Sequence, residues 1–229
     1  RAGVGVDNID IPEATRRGIV VLNTPDVNTI SAAEHTIGLI LAISRNIHLG
    51  HQGLQKGEWN RNILIGSELQ NKTIGIVGLG KIGREVISRC IVFGMKILGY
   101  DPFVNQEMFD ENKTIITDLN SLVKNSDYIS VHVPLNAETK NLFNYDLLSL
   151  MKSSAYIINV ARGGIINEND LAKILNENKI AGAAIDVFSS EPIDNSNSLI
   201  KAKNILLTPH LGASTKEAKE GVSIAVCDH

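Results

Sequence analysis

The feature that most constrains the fold is a series of short apolar runs separated by longer amphipathic stretches. The runs are IVVLN (19–23), TIGIVG (73–78), KILGYD (96–101), YISVHV (128–133), AYIINVA (155–161), AGAAIDVF (181–188) and NILLTP (204–209). Runs of four to eight apolar or β-branched residues, without alternation of polar and apolar positions, suit parallel strands buried on both faces. The stretches between them have helical spacing. In KIGREVISRC, Ile82, Val86 and Cys90 recur every fourth residue, and NENDLAKILNENK opens with the acidic first turn that complements a helix dipole. Strand and helix in alternation predict a doubly wound α/β (Rossmann) domain with a parallel sheet.

The run TIGIVGLGKIGREV places Gly78, Gly80 and Gly83 in G-x-G-x-x-G spacing, after a β-branched strand and at the start of a helix. Glycines there permit a tight turn, and the helix N-terminus faces a pyrophosphate. The next strand ends at Asp101, whose carboxylate can accept from both hydroxyls of an adenosine ribose and repel a 2′-phosphate, so NAD is the expected cofactor rather than NADP.

Ligands of an open α/β sheet gather beyond the carboxyl ends of its strands. That rule brings Gly78, Asp101, Val133 with Pro134, Arg162, Asp186, and Pro209 with His210 to one edge. Arg162 follows an apolar strand and precedes two glycines, and its planar guanidinium suits a bidentate grip on a carboxylate. His210 alone reads as a polar residue closing a strand or as a general acid/base. Glu191, 19 residues earlier, supplies a carboxylate able to fix its tautomer. Asp186 either contacts the nicotinamide end of the cofactor or terminates its strand.

Composition sets the outer bounds. The 229 residues are 43% hydrophobic, enough for a sizeable core, and a formal net charge of -3 with dispersed Lys and Arg leaves no footprint for nucleic acid or an anionic membrane. No apolar run is long enough to span a bilayer, and no charged-then-apolar leader opens the chain. Two cysteines, Cys90 and Cys227, lack metal-ligand spacing, so no metal is expected and a reducing, cytoplasmic compartment is. The chain begins at Arg1 rather than methionine, which leaves room for a natural N-terminal part.

TISAAEHTIGLILAISRNI reads as one helix, residues 29–48, apolar on two sides and therefore buried or shared with a partner. His35 on it is a packing or interface residue. The following loop holds Trp59, either an intersubunit arm or a locally packed anchor.

Taken together, RAGVGVDNID, GLGKIGREV, GYDP, INVARGGII, AAIDVF, EP and TPHLGAST resemble, in order, the D-isomer-specific 2-hydroxyacid dehydrogenase family. The resemblance implies NAD-dependent oxidation of a D-2-hydroxyacid, with Arg162, Glu191 and His210 as the catalytic arginine, glutamate and histidine. It implies NAD contacts at Val4, Lys81, Ile82, Asp101, Val133, Val160, Ala161, Arg162, Asp186, His210, Gly212 and Ala213. Substrate carboxylate would meet the Val4, Gly5 turn, with Asn28 nearby. Trp59 and Arg61 match a loop that in some relatives reaches a neighbouring subunit, so a homodimer or homotetramer is expected through residues 29–48 and that loop. A formate dehydrogenase is disfavoured, because glutamine pairs with the histidine in that branch. Within the family the alternative is a glyoxylate or hydroxypyruvate reductase or another D-2-hydroxyacid dehydrogenase, and from another class it is a nucleotide-sensing corepressor on the same scaffold. By the same resemblance, residues 1–24 are the end of a substrate-binding domain, 25–212 the NAD-binding domain, and 213–229 a helix returning to the first.

Overall fold

A computed structural model describes residues 3, 5–6, 9–24 and 27–227. In chain order the elements are α1 (Ile11–Arg16), α2 (Thr29–Ser44), α3 (Ile47–Gln55), β1 (Thr73–Val77), α4 (Lys81–Val92), β2 (Lys96–Tyr100), β3 (Thr114–Ile116), α5 (Leu119–Asn125), β4 (Tyr128–Val131), α6 (Tyr145–Leu148), β5 (Tyr156–Asn159), α7 (Glu168–Asn176), β6 (Gly182–Ile185), β7 (Ile205–Leu207) and α8 (Lys216–Cys227). All seven strands are parallel, in the order β3-β2-β1-β4-β5-β6-β7. The chain winds outward from β1 to β3, returns across it to β4, and winds out the other way. The doubly wound sheet expected from the alternation of runs is present, with its reversal between β1 and β4.

Both faces of the sheet are covered, which is why its strands read as continuous apolar runs. Successive residues of a strand point to opposite faces. Ile157 thus joins a core with Leu122, Ile129, Leu171 and Leu175 beneath α5 and α7, while Ile158 joins the other with Ile40, Ile74, Ile76 and Val86 beneath α2 and α4. On that second face the rings of Tyr128 and Tyr156 stack 5.5 Å apart, and Ser44 of α2 donates to the Tyr128 hydroxyl at 3.0 Å. Gly75 lets α5 approach β1, since a Cβ there would run into Leu122 and Ser126.

Three expectations need correction. Residues 19–23 form no strand; Ile19, Val20 and Leu22 lie exposed at the surface, and none of the described strands offers them a ladder. The single helix over 29–48 is two helices, broken where Asn46 adopts a left-handed φ of 53° between α2 and α3. β3 is an additional strand, only three residues long, at the sheet edge. Among the described residues no helix is long and apolar enough to cross a membrane.

Candidate active site

The parallel register aligns the strand ends along one edge, and a cleft of about 470 Å³ opens there beside the β1–β4 reversal. Its lining includes Gly5, Asn28, Ile82, His132, Val133, Pro134, Val160, Ala161, Arg162, His210, Gly212 and Ala213. Val4 lies outside the described residues.

At the nucleotide end, Gly78 leaves β1 with φ 97°, and its N–H donates to Tyr100 O at 2.8 Å. A Cβ on Gly78 would come within 2.7 Å of the His132 backbone, and one on Gly83 would run into the carbonyl oxygen of Gly78. At Gly80, by contrast, a Cβ would meet nothing within 4 Å. The turn is therefore tightly packed on the Gly83 side and open at Gly80, where Lys81 begins α4. That geometry fits a dinucleotide's pyrophosphate at a helix N-terminus. Asp101 accepts from the amides of Leu79 at 2.9 Å and Phe103 at 3.0 Å, which hold its carboxylate beside the turn.

Arg162 is placed by a device the sequence reading missed. Asn159, the last residue of β5 and 2% exposed, donates to the Arg162 carbonyl at 2.9 Å and accepts from Ala161 N at 3.0 Å. A buried amide at a strand end, just before a turn, was the available signal. The turn then passes directly over the next connection, because a Cβ on Gly163 would overlap the Phe188 carbonyl, and Gly164 has φ 79°. The Arg162 guanidinium donates to Ala161 O at 2.7 Å.

Glu191 and His210 meet. His210 Nδ1 lies 2.5 Å from Glu191 Oε2, while Glu191 Oε1 accepts from Phe188 N at 3.0 Å. A carboxylate only accepts, so Nδ1 carries the proton of this contact and Nε2 is the ring's remaining proton site. The pair is partly open to solvent, His210 at 47% and Glu191 at 35% of their side-chain surfaces.

Asp186 is fully buried beneath this loop. It accepts from Thr208 Oγ1 at 2.5 Å, Leu211 N at 2.8 Å and Gly212 N at 2.9 Å, and it faces His35 Nε2 at 3.2 Å. Burial pushes its acidity down, but the four hydrogen bonds outweigh burial and hold the carboxyl below its usual value. Its side chain is spent on the protein, and it is the wall behind Gly212 rather than the floor of the cleft. His35 thus has a polar partner in place of the packing role expected of it. His132, whose Nε2 lies 2.8 Å from Ser130 Oγ, was not singled out at all; burial pushes its imidazole down to about 4, so it is neutral near pH 7. Among the described residues no group of three or more His, Cys, Asp or Glu could hold a metal ion.

A glycine turn at a helix N-terminus, beside the strand-order reversal of a doubly wound parallel sheet, puts this fold among the NAD-binding Rossmann domains. Within that class the chain belongs to the D-isomer specific 2-hydroxyacid dehydrogenases, whose NAD-binding domain matches residues 37–212. It is 47% identical over 228 residues to the D-3-phosphoglycerate dehydrogenase of Synechocystis, covering 100% of this chain and 41% of that protein. It is 46% identical over 229 residues to the D-3-phosphoglycerate dehydrogenase of Methanocaldococcus jannaschii, covering 100% of this chain and 44% of that protein. The chain therefore spans less than half the length of these relatives. Among solved structures, the NAD-dependent formate dehydrogenase of Staphylococcus aureus in complex with NAD is 36% identical with a TM-score of 0.92, over 99% of this chain and 68% of that one.

Proposed function

We propose that this chain is the cofactor-binding and catalytic part of an enzyme that oxidises a D-2-hydroxyacid with NAD, and that the hydroxyacid is 3-phosphoglycerate, converted to 3-phosphohydroxypyruvate in the first step of serine synthesis. The observation that carries the chemistry is the 2.5 Å contact between His210 and Glu191 at the mouth of a cleft that Arg162 also lines. The identity to two phosphoglycerate dehydrogenases over the full chain supports the substrate.

Gly78, Gly80, Lys81, Gly83 and Asp101 would hold the pyrophosphate and adenosine of NAD, with Ile82, Val133, Pro134, Val160, Ala161, Gly212 and Ala213 along its length. Bound there, NAD supplies the hydride acceptor. His210 takes the proton of the substrate hydroxyl at Nε2, and Glu191 stabilises the imidazolium that results. Arg162 grips the substrate carboxylate and fixes which face of C2 is presented. Gly5 and Asn28, which line the same cleft, would complete the carboxylate site. Residues 1–24 and 213–229 then belong with a substrate-binding domain, and residues 25–212 form the NAD-binding domain. The two cysteines are free thiols, which suits a cytoplasmic enzyme.

The test is His210→Gln in the full-length enzyme carrying this chain, assayed with phosphorylated and unphosphorylated 2-hydroxyacids. A loss of about 10² to 10⁴ in kcat is expected, the range general acid/base assistance supplies. Turnover near the parent's level would remove His210 from the chemistry, and a preference for glycerate or lactate over 3-phosphoglycerate would remove the assigned substrate.

A further inference from the structure

α2 touches the loop that carries His210 at two points. Ser31 Oγ lies 2.8 Å from Thr215 Oγ1, and one turn later His35 Nε2 lies 3.2 Å from Asp186 Oδ1 and 3.3 Å from Thr208 Oγ1. The proton on this imidazole can be placed. Thr208 gives its hydroxyl proton to Asp186, and the carboxylate has none to give, so His35 Nε2 is the donor to both oxygens.

What Asp186 does with that support is visible in its other partners. Its carboxylate receives Thr208, Leu211 and Gly212, and its carbonyl receives the N–H of His210 at 2.8 Å. His210 itself has φ 54°, a left-handed backbone that a non-glycine residue keeps only where its surroundings fix it. Among the described residues, His35 is the one partner of the Asp186 carboxylate that lies outside this loop. We infer that His35 is a positioning residue: its Nε2–H fixes the Asp186 carboxylate, which holds the 208–212 loop and so aims His210 at Glu191. The inference rests on the acid/base reading of His210 proposed above.

Replacing His35 by glutamine or asparagine separates this from a packing role. A glutamine amide can place a donor where Nε2 stands, whereas the shorter asparagine cannot, and both are polar. In the full-length enzyme, His35→Asn is expected to lower kcat about tenfold, the scale of one lost hydrogen bond to a charged group, with KM for NAD and NADH affinity within about twofold of the parent. His35→Gln is expected to stay within about threefold of the parent in kcat. Melting temperatures of both variants show whether the folded fraction is the same. Equal kcat in the two variants, or a loss confined to KM for NAD, overturns the inference. His210→Gln measured alongside separates the two readings. If that variant loses turnover while His35→Asn does not, only the role of His35 fails; if it keeps turnover, the acid/base reading fails and this inference with it.

Discussion

At the residue scale, the site is built from buried polar groups that each fix a neighbour. Asn159 holds the Arg162 turn and Asp186 holds the His210 loop. His132 shows the cost of such groups. Its imidazole is held down to about 4, below the 6.5 of an unfolded histidine. As pH falls below 6.5 the unfolded chain takes up this proton and the folded chain does not, so stability drops from pH 6.5 toward 4. The Asp186 contribution is lost only at lower pH, as pH falls through its depressed value. Denaturant unfolding at pH 7 and pH 5 is therefore expected to differ by on the order of 1 kcal/mol more in the parent than in His132→Gln. An identical difference in both proteins would mean that the ring is not kept neutral in the fold. The contact of Asp186 with His35 was not legible in the sequence, because the two lie 151 residues apart and no local pattern links them, whereas the partners of Asn159 are only two and three residues away.

At the element scale, most of the sheet was legible. β1, β4, β5 and β6 are buried on both faces, and such strands announce themselves as unbroken apolar runs. β3 escaped because three residues at an edge make no period. IVVLN misled for the opposite reason: apolar content alone does not say whether a pairing edge exists. The break at Asn46 is equally silent, since asparagine tolerates a left-handed backbone without requiring it. The glycine turn was legible because three glycines, a strand and a helix agree on one use. Gly75 was not, although it sets the spacing between β1 and α5. Gly75→Ala puts a methyl group into Leu122 and Ser126 and is expected to destabilise the domain by about 1–3 kcal/mol. A midpoint of urea unfolding equal to the parent's would show that α5 can move aside.

At the scale of the whole molecule, one face is not finished. Leu54, Trp59 and Ile63 are 58%, 79% and 77% exposed, lining a groove of about 420 Å³ between α3 and the following loop. Large apolar side chains gathered on one surface mark an interface. The occupant expected from the sequence is a second copy of the chain, with Trp59 as an anchor. Trp59→Glu is expected to halve the mass measured by light scattering at micromolar concentration, while circular dichroism stays unchanged. A parent already of single-chain mass would refute the homo-oligomer. The sequence offered Trp59 as either an arm or a packed anchor, and it was undecided because one aromatic residue serves both.

The turn at Gly163 joins two of the connections at the cleft. Its backbone abuts the Phe188 carbonyl, and the Phe188 amide is held by Glu191, so the connection bearing Arg162 and the one bearing Glu191 are keyed together. A side chain at position 163 would force them apart. The connections that carry Arg162 and Glu191 therefore shift as one block or not at all. On the proposed function, a change of substrate falls to the surfaces that face this block, and the spacing between Arg162 and Glu191 stays as the two connections set it.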